Sequence, residues 1–215
     1  MFNSTFSSVL FILLFSLSPI YGAYYEYMQL VLQWPTAFCH ASPTCKVTPN
    51  NFTIHGLWPD NVSTTLNYCK SKTGKYNNIK DPTIKNELYK RWPDLTTSET
   101  DCLGNQNFWK REYNKHGTCC SGRYNLQQYF HLAMALKDKF NLLTSLTNHG
   151  IIPGSNYNVQ KINSTIKTIT RGYPNLSCTE EMELWEIGIC FDSTVKNVID
   201  CPHPKTCNPT IIKFP

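Results

Sequence analysis

Ten cysteines constrain this chain more than any other feature, and none falls before Cys39: they are Cys39, Cys45, Cys69, Cys102, Cys119, Cys120, Cys178, Cys190, Cys201 and Cys207. In an oxidising compartment an even set of this kind folds around disulfides; in a reducing one it marks metal sites or reactive thiols. The residues ahead of the first cysteine favour the oxidising compartment. Met1 to Gly22 contains no Asp, Glu, Lys or Arg, and its apolar run is only Val9-Leu10-Phe11-Ile12-Leu13-Leu14-Phe15. A membrane span needs about 20 apolar residues, so an N-terminal anchor is disfavoured. The segment closes on Ser18-Pro19-Ile20-Tyr21-Gly22, the small-residue ending of a secretory leader cleaved after Gly22, with the terminal amine as its basic end. A metal site is a poor alternative: there is no CxxC, no HExxH and no paired Cys/His spacing of the zinc kind. The cysteines therefore point to disulfides, with their connectivity open.

Residues 23–215 are the length of one domain with a full core, and they contain no second segment apolar enough to enter a membrane. All of the formal net charge of +5 lies there. A modest positive charge favours a polyanionic partner and is weak evidence alone. Four sequons, at Asn51, Asn61, Asn163 and Asn175, fit a secreted glycoprotein and predict surface loops at those positions.

The fold class follows from the order of patterns. Glu26 to Trp34 alternates, with Met28, Leu30, Leu32 and Trp34 on one face and Tyr27, Gln29, Val31 and Gln33 on the other, and Pro35 ends it. Phe52 to His55 and Glu183 to Asp192 are further strands, and Asn197 to Asp200 pairs beside the latter. Helices are predicted at Ile84–Arg91, Gln106–His116, Asn125–Thr147 and Asn158–Thr170. Lys70–Asp81 and Thr96–Asn107 are polar and read as surface loops. Strands at both ends and helices between them predict an α+β domain, a mainly antiparallel sheet with helices packed on one side.

Chemistry concentrates in "FWKREYNKHGTCC", Phe108 to Cys120. On a helix Glu112 and His116 are i, i+4, Glu112 and Lys115 are i, i+3, and Phe108 lies over Glu112. A base, a carboxylate, a cation and an aromatic can then share one face, while Gly117 suits a left-handed C-cap. A histidine in a last turn also complements the helix dipole, the plainer explanation. His55 lies on a separate element, in "TIHGLWPDN", followed by Gly56 and the rigid Trp58-Pro59 pair. His40, His131, His149 and His203 have less context, and His131 reads as structural. Two histidines with a carboxylate and a lysine suit RNA cleavage by the 2′-hydroxyl. One imidazole takes the 2′-proton and the other protonates the leaving 5′-oxygen, both working near the ordinary histidine pKa of about 6.5. Cations stabilise the charge growing on the phosphoryl oxygens, and no metal or other cofactor is needed.

At these residues the chain resembles the ribonuclease T2 family. "FTIHGLWPD" and "EYNKHGTCC" are similar to its two active-site segments, and the likeness runs from "QLVLQWP" to the cysteine-rich tail. "YEYMQLVLQWPTAFCH", "NFTIHGLWPDNVSTTLNYC" and "CNPTIIKFP" are most similar to the solanaceous S-ribonucleases of the pistil. The resemblance implies that His55 is the proton donor of the first step and His116 the base. It implies that Glu112 and Lys115 stabilise the pentacovalent state, and that the product is a 2′,3′-cyclic phosphate. Gln33, Trp58 and Phe108 fall where the family contacts phosphate or base, and Asp94 and Leu95 belong to a segment similar to a base pocket. Arg111 departs from the pattern, since many members carry histidine there; it can bind phosphate bidentately but cannot titrate near neutrality.

The resemblance also implies the disulfides Cys39–Cys45, Cys69–Cys119, Cys178–Cys207 and Cys190–Cys201, which leaves Cys102 with Cys120. Cys119 and Cys120 would then tie the end of the active-site helix to two loops. By the same resemblance the protein is a monomer of the style's extracellular matrix that acts on single-stranded RNA with low base specificity. Its further partners are pollen F-box proteins, met through exposed loops near Lys70–Thr83 and Trp92–Asp101. The alternatives are an S-like ribonuclease for phosphate scavenging or defence, and a secreted glycoprotein that binds without catalysis.

Overall fold

β1 (Tyr27–Gln33) forms where the alternation predicts it, and it becomes the strand around which the rest assembles. The computed structural model describes residues 25–70, 74–204, 207–208 and 210–215; the expected leader lies outside the described residues. After β1 come α1 (Pro35–Ala41), β2 (Thr53–Asp60), α2 (Pro82–Arg91), α3 (Glu99–Asn105) and α4 (Asn107–Lys115). A 3₁₀ turn at Gly117–Cys120 leads to α5 (Leu126–Phe140), α6 (Leu142–Asn148), β3 (Ser155–Asn158) and α7 (Val159–Thr170). β4 (Asn175–Cys178), β5 (Leu184–Asp192), β6 (Val198–Ile199) and β7 (Ile211–Phe214) complete the chain. The main sheet is antiparallel in the order β2-β1-β5-β4, with β6 on β5, while β3 and β7 pair separately.

The α+β reading holds, and the two faces of β1 have separate tasks. Met28, Leu30 and Leu32 are sealed in the core with Ile187, Ile189 and Phe191 of β5. Tyr129, Phe130 and Ala133 of α5 are fully buried in the same core, and the Tyr129 hydroxyl donates to the Leu57 carbonyl at 2.8 Å. Tyr27, Gln29 and Val31 line a groove on the opposite face.

β2 departs from simple alternation. Val31 pairs with Gly56, but the next residue, Leu32, pairs with Ile54. His55 is therefore the extra residue of a β-bulge, the device that re-aims a side chain beside a site. Its carbonyl is taken by the Trp92 indole N–H at 2.9 Å, and the Trp92 carbonyl accepts from the Trp109 indole at 2.7 Å. Two buried indoles thus fasten the bulge to the helical layer. Replacing Trp92 with Phe keeps a large ring but leaves the His55 carbonyl unpaired, and should lower stability by about 1–3 kcal/mol. Urea unfolding measures this, and an unchanged midpoint would show that the bulge holds itself.

The helices correct several expectations. Pro35, expected only to end a strand, also opens α1. The polar stretch read as a loop at Thr96–Asn107 contains α3, capped by the Ser98 side chain. The single helix predicted from Asn125 to Thr147 starts where expected, with an Asn125–Gln128 capping box, but breaks at Asn141, whose backbone is left-handed at φ 37°. Gly117 is not a left-handed cap. His116 ends α4 and the chain tightens into the 3₁₀ turn instead, with Gly117 against the Tyr113 ring, which an added Cβ would overlap. The loop Trp92–Asp101 is not wholly exposed either: Trp92 and Leu95 are 0% and 2% accessible, because both side chains fill the core. Of the sequons expected in surface loops, Asn163 lies within α7 and Asn175 opens β4. A sequon specifies acceptor chemistry and is silent on helix or strand register.

Four disulfides form as the resemblance implied: Cys39–Cys45, Cys69–Cys119, Cys178–Cys207 and Cys190–Cys201. The fifth does not. Cys102 and Cys120 are free thiols, both buried. The Cys120 thiol donates to the Gly117 carbonyl, and burial pushes it up to about 12; burial raises Cys102 as well. Each packs as a small apolar side chain. One bridge, Cys69–Cys119, therefore anchors the end of α4, assisted by the Tyr68 N–H on the Lys115 carbonyl at 2.8 Å.

Candidate active site

The amphipathic α4 presents Phe108, Glu112 and, at its C-cap, His116 inward, as their spacing predicts; Lys110 is exposed, and the exposed Arg111 folds back toward the Phe108 ring. The bulge in β2 presents His55 and Trp58 to the same place. Trp58 is the centre of the arrangement. Its ring stacks on His116 with centroids 4.9 Å apart and meets His55 edge-on at 5.3 Å. Its indole N–H donates to the Glu112 carboxylate at 3.2 Å. One indole thus touches both imidazoles and holds the carboxylate between them. Phe108 lies 6.3 Å from His55, centroid to centroid, and the Arg111 guanidinium sits 5.1 Å over the Phe108 ring.

A groove of about 430 Å³ opens beside Trp58 and His116, with Lys115, Gln29, Asn175 and Glu186 among its other walls. Gln33, expected to touch substrate, is buried at the edge of β1, paired with Thr53 and Glu186. The base-pocket pair stands apart. Asp94 turns onto its own loop, accepting from the Thr96 amide and hydroxyl. Leu95 is buried, with its carbonyl taken by Lys46 and Val47. Among the described residues no hydrogen bond or ring contact joins either of them to the histidines.

The two histidines sit in opposite electrostatic surroundings. Burial opposes charge on His55, but the hydrogen bond to Glu186 and the charges of Glu186 and Glu112 outweigh it. His55 is held above the ordinary histidine range, with Arg111 opposing. His116 has no such partner. Burial, with the charges of Lys115 and His55, pushes it down to about 3, and among the described residues neither ring nitrogen has a hydrogen-bond partner. Burial raises Glu112, with His55, Trp58, Arg111 and Lys115 pulling the other way. A pair of groups whose environments drive them apart in this way divides acid from base. The arrangement can hold one imidazole protonated and one neutral beside a groove for an anion.

Sequence reasoning missed Glu186, whose carboxylate is hydrogen-bonded to His55 Nδ1. The signal was present: an acid in the apolar strand "LWEIGICFD", on the face it shares with Gly188 and Cys190. Among the described residues no cluster of His, Cys, Asp and Glu could hold a metal ion, and no helix is long and apolar enough to cross a membrane.

The comparisons agree with one another. The Ribonuclease T2 family model matches residues 25–201. Ribonuclease S-7 of Nicotiana alata is 73% identical over all of both chains, and ribonuclease S-6 of the same plant is 71% identical over 96% of this chain and 95% of its own. Among solved structures, the self-incompatibility associated SF11-RNase of Nicotiana alata superposes with a TM-score of 0.80 at 46% identity, over 86% of this chain and 95% of that one.

Proposed function

The chain belongs to the ribonuclease T2 family and is an endoribonuclease, and on that premise we propose that it cleaves single-stranded RNA by 2′-hydroxyl attack, with His116 as base and His55 as acid. The observation that carries this reading is the contact of Trp58 with two histidines whose surroundings push their pKa values in opposite directions. In the first step His116 takes the 2′-proton as the 2′-oxygen bonds to phosphorus. His55 gives its proton to the 5′-oxygen as the P–O5′ bond breaks, and a 2′,3′-cyclic phosphate remains. Lys115 and the Arg111 guanidinium supply positive charge to the phosphoryl oxygens, and Glu112 helps stabilise the pentacovalent state. A phosphodiester in the groove brings an anion beside the His116 ring. That raises His116 toward the range in which a base works best.

The pH dependence has a definite sign. His116 must be neutral, so activity is gained as pH rises through its low value, about 3 in the free protein. His55 must be protonated, so activity is lost as pH rises through its raised value. The kcat/KM profile on a dinucleotide should therefore be a broad plateau with its alkaline limb above the ordinary histidine range. A single sharp optimum below pH 5 would contradict the assignment. The direct test is purified protein on total RNA with excess chelator, scoring cyclic-phosphate ends. Cleavage lost on chelation would remove the two-histidine mechanism.

The relatives named as S-ribonucleases support the wider reading: a secreted pistil determinant of self-incompatibility that degrades RNA in self pollen tubes. It is proposed as one domain after cleavage of a leader at Gly22, glycosylated and active as a monomer. Style-specific expression is expected; uniform expression in phosphate-starved leaves would favour a scavenging role instead. For pollen F-box partners, the exchangeable surface is narrower than the sequence implied. Loop swaps between alleles at Trp92–Asp101 must keep Trp92 and Leu95, since both are core residues.

A further inference from the structure

His55 is held by a residue two strands away. Glu186 lies on β5, which pairs with β1, and β1 pairs in turn with β2. Two strand spacings are about 9–10 Å, so the glutamate and the histidine reach toward each other across β1. They meet because the bulge turns His55 onto the groove face, and its Nδ1 donates to the Glu186 carboxylate. The side chains are 29% and 12% accessible, so the bond is partly shielded from water, and Glu186 also lines the groove. No other hydrogen bond to the His55 ring is present among the described residues.

We propose that Glu186 is a positioning residue for the reaction: its carboxylate fixes the His55 imidazole with Nδ1 inward, so that Nε2 is the atom that delivers the proton to the leaving 5′-oxygen. The inference rests on the two-histidine reading above and deepens it. An imidazole on a bulge has no ladder neighbour to fix its ring, and a flipped or rotated ring would present the wrong nitrogen. Glu186 selects one orientation and one tautomer, much as an acid behind a catalytic histidine does in other enzymes. It also stabilises the imidazolium that an acid must be before it gives up its proton. The charged and titratable groups facing His55 are Glu186 from β5, Glu112 and Arg111 from α4, and His116 at the end of α4. Of these only Glu186 is bonded to the ring.

Two variants of the full chain separate positioning from mere packing. Glu186→Gln keeps an acceptor for Nδ1–H and a matching shape but removes the charge. Glu186→Ala removes both. Alanine should lower kcat about 100-fold, the scale of a misplaced reacting group, with KM nearly unchanged. Glutamine should recover most of that loss below neutrality while its alkaline limb moves to lower pH. Proton NMR of the His55 ring should show the same downward movement of its titration midpoint in Glu186→Gln. That readout is independent of activity. If wild-type protein fails to cut RNA, the ribonuclease reading fails, yet the NMR midpoint still tests the contact. If alanine destabilises the fold, glutamine decides. An unmoved limb and an unmoved His55 midpoint in Glu186→Gln would overturn the proposal.

Discussion

Replacing His116 with alanine should lower the rate of RNA cleavage by about 10²–10⁴-fold, the range supplied by a positioned base, and leave a folded protein. The ring is buried against Trp58, but neither nitrogen has a partner among the described residues, so its removal breaks no hydrogen bond there. The structural cost is lost packing alone, within the 0.5–3 kcal/mol or so typical of a single substitution. Far-UV circular dichroism and a thermal melt, read beside kcat/KM on a dinucleotide, separate the two effects. His55→Ala should match it in rate, because the proposed acid and base act on one step, and the losses in the double variant should fall well short of multiplying. Substantial activity in both single variants would show that the pair is misassigned.

Gly56→Ala should be nearly as damaging, by a different route. Backbone freedom is not the reason for glycine here, since Gly56 is absent from the positive-φ residues. The reason is space. A Cβ at this position would overlap the Trp58 indole nitrogen and come within 2.8 Å of the Glu112 carboxylate oxygen. The added methyl therefore lands on the hydrogen bond that joins the indole to the carboxylate. Either the strand or the indole must give way, at a cost of about 1–3 kcal/mol for overpacking. Displacing Trp58 shifts the surface on which both imidazoles rest, and about 100-fold in kcat is the expected penalty. A crystal structure with Trp58 in place and wild-type kinetics would refute this account of the glycine in "HGLWP".

The sequence displayed one half of the site well and the other half poorly. On α4 the spacing of Glu112 and His116 is a helical repeat, and a helix is regular enough for that repeat to give geometry. Strand geometry failed at the decisive residue. His55 and Trp58 are three apart, and a period of two places them on opposite faces. Only the bulge unites them, and it is set by the pairing of β2 with β1 and by the Trp92 indole, both remote in sequence. Glu186 was hidden for the same reason, since its partner lies 131 residues away. Short elements were the other loss. β4 and β7 have four residues each, too few for a periodic signal, and β4 is bridged to the tail by Cys178–Cys207. Cys102 and Cys120 could not be read from parity, because an even count does not say which thiols the core encloses.

The bulge also determines how such a chain can change over generations. β2 has one residue more than β1 requires, and that surplus residue is His55. Deleting its single codon would close the ladder and leave Leu57, Trp58 and the α5 contacts in register. The expected product keeps the strand pairing but lacks both the proposed acid and the carbonyl that the Trp92 indole holds. A change of length in β2 can thus remove the proposed acid as surely as a replacement of the histidine, and inactive variants should be sought among length variants of β2 as well.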